Sequence, residues 1–174
     1  MVSANLELAR RLESAEGYAC LRFAQAHHRV FPESGAAWLE HAGVYAGFVG
    51  IDSPLTQSFG LGIQQPLTSD TLDIIEQFFT DRDTAPIHEV SPLAGCAALD
   101  LLCQRGYRPV EISNVLYRTL DNFESVTLPG ILARPIQPTQ QDIWNTINTR
   151  AWTDDHPELE EFLESHGSHH RRLR

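Results

Sequence analysis

Apolar residues near the amino terminus recur at spacings of three and four positions. Between Ser3 and about Val30 they form one stripe: Leu8, Leu12, Ala15, Ala19, Phe23, Ala26 and Val30. This spacing places side chains on one face of a helix, so the pattern predicts a single long helix whose stripe packs on a core. The helix is expected to end where Pro32 removes a backbone donor and Gly35 favours a turn.

Short apolar runs follow the helix and predict β-strands. The run over residues 37–49 is interrupted at Ala42 and Gly43, which is typical of two strands joined in a hairpin. A third strand is expected over residues 55–61. Between the hairpin and this strand, Asp52, Ser53 and Pro54 have the composition of a turn.

Two more strands are predicted later in the chain, over residues 86–90 and 108–118. In the second of these, apolar and polar residues alternate with a period of two, with Val110, Ile112 and Leu116 on one side. Such alternation is expected of a strand whose two faces differ in their exposure to water.

Two helices are predicted between these strands. The first begins at Ser69 or Asp70, either of which can cap a helix, and ends near residues 81–83. Helical spacing places its apolar residues Leu72, Ile75 and Phe79 along one face. The second covers residues 94–105, and Gly106 suits the position after its end. Together the elements predict a mixed α/β (α+β) fold, in which helices flank a mostly antiparallel sheet and a long helix comes first.

The composition changes after residue 120. Residues 121–130 have the character of a linker, so the chain is divided into a first domain over residues 1–120, this linker, and residues 131–174. A strand over residues 131–136, a helix opened by a capping pattern from Thr139 to Asp142 and a helix after Pro157 are predicted in the last part. These elements are too few for a second independent core.

Charge and composition exclude several classes of protein. The 174 residues carry a formal net charge of -10 at pH 7, which argues against a partner as negative as nucleic acid. No run approaches the roughly 20 apolar residues of a membrane helix, and no apolar signal segment precedes the first helix, so a cytoplasmic protein without a membrane partner is expected. The three cysteines, Cys20, Cys96 and Cys103, are interpreted as reduced thiols in a core.

The order of elements over residues 37–120 resembles the central and carboxyl part of the GNAT acyltransferases. Gly106 followed by Tyr107 is similar to the glycine and aromatic residue that often close a helix in that family. Residues 133–152 are similar to the first strand and helix of a GNAT domain. The chain therefore resembles the degenerate amino-terminal half of a tandem GNAT protein, followed by the start of its second half.

The resemblance implies acetyl-CoA as cofactor, held where a strand meets a helix by an arginine- and glycine-rich loop. The corresponding residues here are 59–70, in which the resemblance assigns Gly60, Gly62 and Ser69 to cofactor binding. The loop lacks arginine and lysine, and Pro66 has no N–H to donate.

Two further positions depart from the family pattern. Asp70 and Asp73 add negative charge to the first turn of the helix that should receive the phosphates. The tyrosine that often serves the family as general acid is replaced by Leu102. No catalytic residue is therefore predicted, and His88 is the one candidate for a functional role.

Two functions remain open from the sequence. The first is a noncatalytic GNAT-like half that stabilises or gates a catalytic half, or that associates with itself through unpaired strands near Ile131. The second is a stand-alone acyl-CoA-dependent N-acyltransferase acting on a small-molecule or peptide amine. The change to a basic tail over residues 165–174 suggests a truncated product, and its histidines, His166, His169 and His170, are interpreted as part of a loose terminus and not as a metal site.

Overall fold

The computed structural model describes residues 5–51, 53–118, 129–154 and residue 157. The chain divides into two compact units, with the boundary between Ser113 and Asn114. Most of the predicted linker lies outside the described residues. The same holds for Asp52 of the predicted turn, for the helix expected after Pro157 and for the histidine-containing tail.

A mixed α/β fold with a long amino-terminal helix is confirmed. The first unit contains α1 (Leu6–Val30), β1 (Ala37–His41), β2 (Val44–Phe48), β3 (Gln57–Phe59), α2 (Ser69–Thr80) and α3 (Cys96–Gln104). The second unit contains α4 (Gln141–Thr153). Within the described part of the chain, no helix is both long enough and apolar enough to cross a membrane.

The predicted hairpin and third strand form one antiparallel sheet with the order β1-β2-β3. Ala37 pairs with Phe48 and His41 with Val44 across the hairpin. The two turn residues, Ala42 and Gly43, have φ values of 50° and 78°, as a tight two-residue hairpin turn requires. The interruption in the apolar run therefore located this turn correctly.

The long helix exists as predicted, but its buried face differs from the predicted stripe. The buried residues are Gly17, Leu21 and Ala24, whereas Ala15, Ala19 and Phe23 are exposed. The reason is a very close approach of the helix to the sheet: a Cβ on Gly17 would lie 2.5 Å from the Tyr45 ring. Small side chains permit this approach, and apolar periodicity alone does not register it.

The core of the first unit lies between the sheet and α2. Its fully buried side chains include Val44, Leu61, Leu72, Ile75 and Phe79, so the predicted apolar face of α2 is confirmed. Thr68, and neither Ser69 nor Asp70, caps this helix: its hydroxyl accepts from the Thr71 N–H at 3.2 Å.

The predicted strand over residues 108–118 is wrong. The described chain has no strand there, and Val110 and Ile112 are 85% and 89% exposed. The strand expected over residues 86–90 is reduced to one parallel bridge between Ser58 and His88. An alternating pattern needs a neighbouring edge to complete a ladder, and Pro109 removes one donor from the ladder that residues 108–118 would have formed.

Three smaller predictions are also corrected. Residues 131–136 form no strand, and α4 is preceded by a short turn, Pro138–Gln140, whose capping box joins Gln137 and Gln140 in place of Thr139 and Asp142. Cys96 and Cys103 are exposed on α3, so these two thiols do not lie in the core.

Candidate functional site

The loop between β3 and α2, which the sequence marks as the place for a cofactor, begins at Gly60. Gly60 has φ +86°, and a Cβ there would lie 2.5 Å from the Gly43 carbonyl oxygen. Its N–H donates to Glu13 Oε2 at 3.0 Å, so a carboxylate from α1 occupies this amide. The glycine is needed for close approach to the hairpin turn, and its amide is already satisfied within the chain.

Gly62, two residues further along the same loop, allows close packing against the start of α3. It has φ +71°, and a Cβ there would lie 3.0 Å and 3.2 Å from the Cβ atoms of Ala98 and Ala94. A larger residue would push away the start of α3. This second glycine therefore brings loop and helix together.

The rest of the loop is anchored in the core and on α1. Leu61 and Ile63 are fully buried. The Ile63 carbonyl accepts from Arg10 Nε at 2.9 Å, and Gln64 Nε2 donates to Ser14 Oγ at 2.9 Å. Alternate residues of the loop thus point inward, which differs from a loop whose amides converge on an outside ligand.

Ser69 lies at the amino end of α2, where it contacts the side chain of Arg105. The sequence near Ser69 contains no sign of this cation. Arg105, at the end of α3, donates to Ser69 Oγ at 2.7 Å. The same guanidinium contacts Asp73 at 2.6 Å and Glu76 at 2.7 Å. These residues are up to 36 positions apart, so only the packing of the two helix ends could place a positive charge beside Ser69.

The residue at the family's proton-donor position belongs to the core. Leu102 is buried with the side chains that pack α3 on the sheet and α2. Nearby, Tyr107 donates its hydroxyl to Glu76 Oε1 at 3.0 Å. Burial, together with this hydrogen bond, raises the pKa of Tyr107 far above its ordinary value. Its phenol is therefore held protonated and does not act as a base near neutral pH.

His88 lies inside the first unit and connects several elements. Its Nδ1 is 2.7 Å from the Oγ of the fully buried Ser58. Its ring lies beside those of Phe79 and Tyr107, at centroid distances of 6.4 Å and 4.9 Å. Nε2 is buried without a hydrogen-bond partner among the described residues, and burial lowers the pKa of His88 to about 4.

Such an imidazole is neutral at physiological pH and is packed between aromatic rings. The Ser58 pair resembles half of a nucleophilic arrangement, but within the described residues no carboxylate bonds to His88 Nε2. Ser58 itself has no exposed surface. The pair is therefore suited to joining β3 to residues 87–89, and a substrate could not reach it.

A groove of about 470 Å³ lies between α1 and β3. Its apolar surface comes from Ala19 and Phe23 on the helix and from Leu55 and Phe59 beside it. Cys20 also lines it, and burial raises the pKa of this thiol to about 11, so the thiolate needed for reactivity is scarce.

Carboxylates also border this groove. Glu16 and Glu89 line it directly. Burial and then the charges of Glu16 and Glu111 raise the pKa of Glu89. Burial also raises the pKa of Glu13, to which the charges of Glu16 and Glu89 add, while its hydrogen bond from Gly60 opposes the rise. Sequence reasoning missed this cluster because its members lie on α1, after β3 and beyond α3.

Within the described part of the chain, no group of three or more His, Cys, Asp or Glu side chains is arranged to hold a metal ion. Comparison of the whole chain with protein-family models, with curated proteins and with solved structures found no match in any of the three.

Proposed function

We propose that this chain is a noncatalytic GNAT-like domain that binds a partner protein and does not use acetyl-CoA. The observation that carries the proposal is the hydrogen bond from Gly60 to Glu13, 3.0 Å long. Through this bond, a carboxylate of the chain itself occupies a backbone N–H that the family resemblance assigns to a phosphate.

Electrostatics supports the same interpretation. A phosphate at the Gly60 amide would have to displace the Glu13 carboxylate or lie beside it. Two like charges about 4 Å apart repel by roughly 4 kcal/mol at an effective dielectric constant near 20. The backbone N–H offers one donor only, so the carboxylate and the phosphate compete for it.

The remaining parts of the family's site are also used internally. Gly62 packs against Ala94 and Ala98, and Leu102 is part of the core. The Arg105 guanidinium is neutralised by Asp73 and Glu76. A loop whose side chains and amides are used in this way supports a structural function for residues 59–70.

Isothermal titration of the full chain with acetyl-CoA and with CoA tests the proposal. We expect no saturable heat up to millimolar ligand, with an active GNAT enzyme as positive control in the same buffer. Saturable binding in the micromolar range, abolished by adding a Cβ at Gly60 (Gly60→Ala) in a protein that stays folded, would contradict the proposal.

One observation favours the alternative of a stand-alone acyl-CoA-dependent N-acyltransferase acting on a small-molecule or peptide amine. Arg105 supplies a guanidinium 2.7 Å from Ser69 Oγ, at the helix end where a phosphate would lie. If titration detects binding, Arg105→Met should remove it and Arg82→Met, a matched change at the other end of α2, should not. Equal affinities for both variants would exclude this role for Arg105.

A further inference from the structure

The groove between α1 and β3 exposes apolar surface that the sequence marks for burial. Ala19 and Phe23 belong to the apolar stripe of α1, yet the sheet covers the opposite side of the helix, where Gly17 and Leu21 lie. Phe23 is 41% exposed. Among the described residues of the first unit, no helix or strand covers this part of the stripe, and it lines the groove together with Leu55 and Phe59.

Among the described residues, the charged side chains that line this groove are both negative. Glu16 and Glu89 line the groove, and Glu13 and Glu111 lie close enough to act on them electrostatically. Both salt bridges found among the described residues belong to Arg105, so none of these four carboxylates has a cationic partner there. Carboxylates held near one another without a counter-charge favour a cationic ligand.

The number of charges and the kind of surface define the occupant. One small ammonium ion would neutralise a single carboxylate and leave the apolar surface exposed. A peptide segment satisfies both demands, since it carries several cations and an apolar side chain on a single backbone. A volume of about 470 Å³ accommodates a few side chains of such a segment.

We propose that this groove binds a basic segment of a partner protein, with an apolar side chain against Phe23 and Leu55 and with lysine or arginine side chains at Glu16 and Glu89. The inference rests on the proposed function only in treating the segment as a partner and not as an acetylation substrate.

The test uses the full chain and a short fluorescein-labelled peptide in which lysine and leucine alternate, monitored by fluorescence anisotropy. Two further peptides replace lysine with glutamate or leucine with serine. Ethylammonium chloride serves as the small-cation competitor. We expect the lysine and leucine peptide to bind more tightly than either other peptide, and its binding to weaken as salt is added.

Matched variants locate the site. Glu16→Gln and Glu89→Gln should each weaken the binding of that peptide by about two- to fivefold, the range expected for one exposed ion pair. Glu40→Gln removes the same charge from β1 and should have no effect. Phe23→Ser should weaken binding, whereas Leu99→Ser, at a side chain of similar exposure on α3, should not.

Each opposite result overturns the inference. The inference fails if the lysine and leucine peptide does not bind, or if the serine peptide binds equally well. It also fails if Glu16→Gln and Glu40→Gln have equal effects, or if ethylammonium chloride fully displaces the peptide when it replaces sodium chloride at constant ionic strength. Thermal unfolding of each variant by circular dichroism verifies that it is folded. The acetyl-CoA titration is independent of these results. A failed peptide experiment leaves the noncatalytic proposal standing, and micromolar acetyl-CoA binding that Gly60→Ala abolishes overturns that proposal whatever the peptide does.

Discussion

Gly60→Ala gives the sharpest test of how the loop after β3 is built. The substitution adds one Cβ at a residue with φ +86°, and that atom would lie 2.5 Å from the Gly43 carbonyl oxygen. The obstacle is backbone, which cannot rotate away as a flexible side chain can. Either the loop or the hairpin turn must move, and both are attached to buried residues, Leu61 and Val44.

Two effects contribute to the expected loss of stability. The positive φ costs a residue with a Cβ about 1–2 kcal/mol. Forcing an extra carbon into packed surroundings costs a further 1–3 kcal/mol or so. Gly60→Ala should therefore lower the free energy of unfolding by about 2–5 kcal/mol, a large part of the 5–15 kcal/mol typical of a folded domain.

Gly106→Ala isolates the first effect. Gly106 has φ +85°, but a Cβ there would meet nothing within 4 Å. Urea unfolding, followed by circular dichroism, gives the free energy of unfolding for both variants, and equal slopes against urea make the two values comparable. If Gly60→Ala and Gly106→Ala agree to within about 0.5 kcal/mol, near the scatter of such comparisons, the close approach to Gly43 is not what the structure depends on.

Two further predictions concern titrating groups of the same region. Because burial raises the pKa of Glu13, its ionised form destabilises the folded state at pH values above that pKa. Glu13→Gln, which keeps an acceptor for the Gly60 N–H, should therefore stabilise the chain at pH 7. Glu13→Ala, which removes that acceptor, should destabilise the chain by about 1–2 kcal/mol. Urea unfolding at pH 7 measures the free energy of unfolding of both variants. A change of the same sign in the two variants would refute this account. For His88 the folded pKa of about 4 lies below the ordinary value of 6.5, so the unfolded chain takes up the proton first as the pH falls. The resulting stability, about 3 kcal/mol, is fully present above pH 6.5 and is lost between there and about pH 4. His88→Leu should flatten the curve of unfolding free energy against pH over that window, and an unchanged curve would show that other groups cause the loss.

Local sequence signals located the elements that depend on near neighbours. The break at Ala42 and Gly43 identified the hairpin because it interrupts the run of strand-forming residues, and Gly43 readily adopts the positive φ that a two-residue turn requires. The apolar face of α2, with Leu72, Ile75 and Phe79, followed from helical spacing. In both cases the information lies within a few residues of the element.

The candidate site was predicted only in outline. The sequence marked Gly60, Gly62, Ser69 and His88, and the structure gives each of them contacts from remote positions. Glu13 reaches Gly60 from 47 residues away, and Arg105 reaches Ser69 from 36 residues away. Contacts of that range depend on how helices stack on a sheet, which no local pattern encodes.

The sequence by itself determined that a long helix, a hairpin and a capped helix form, because propensity, apolar spacing and turn chemistry are local. Tertiary structure decided which face of α1 is buried, since the approach allowed by Gly17 outweighs the larger apolar side chains on the other side. It also decided that the alternating residues 108–118 form no strand, because a ladder requires a partner edge in space. The exposed groove beside Phe23 follows from the first of these decisions, and it could be found only once the chain was folded.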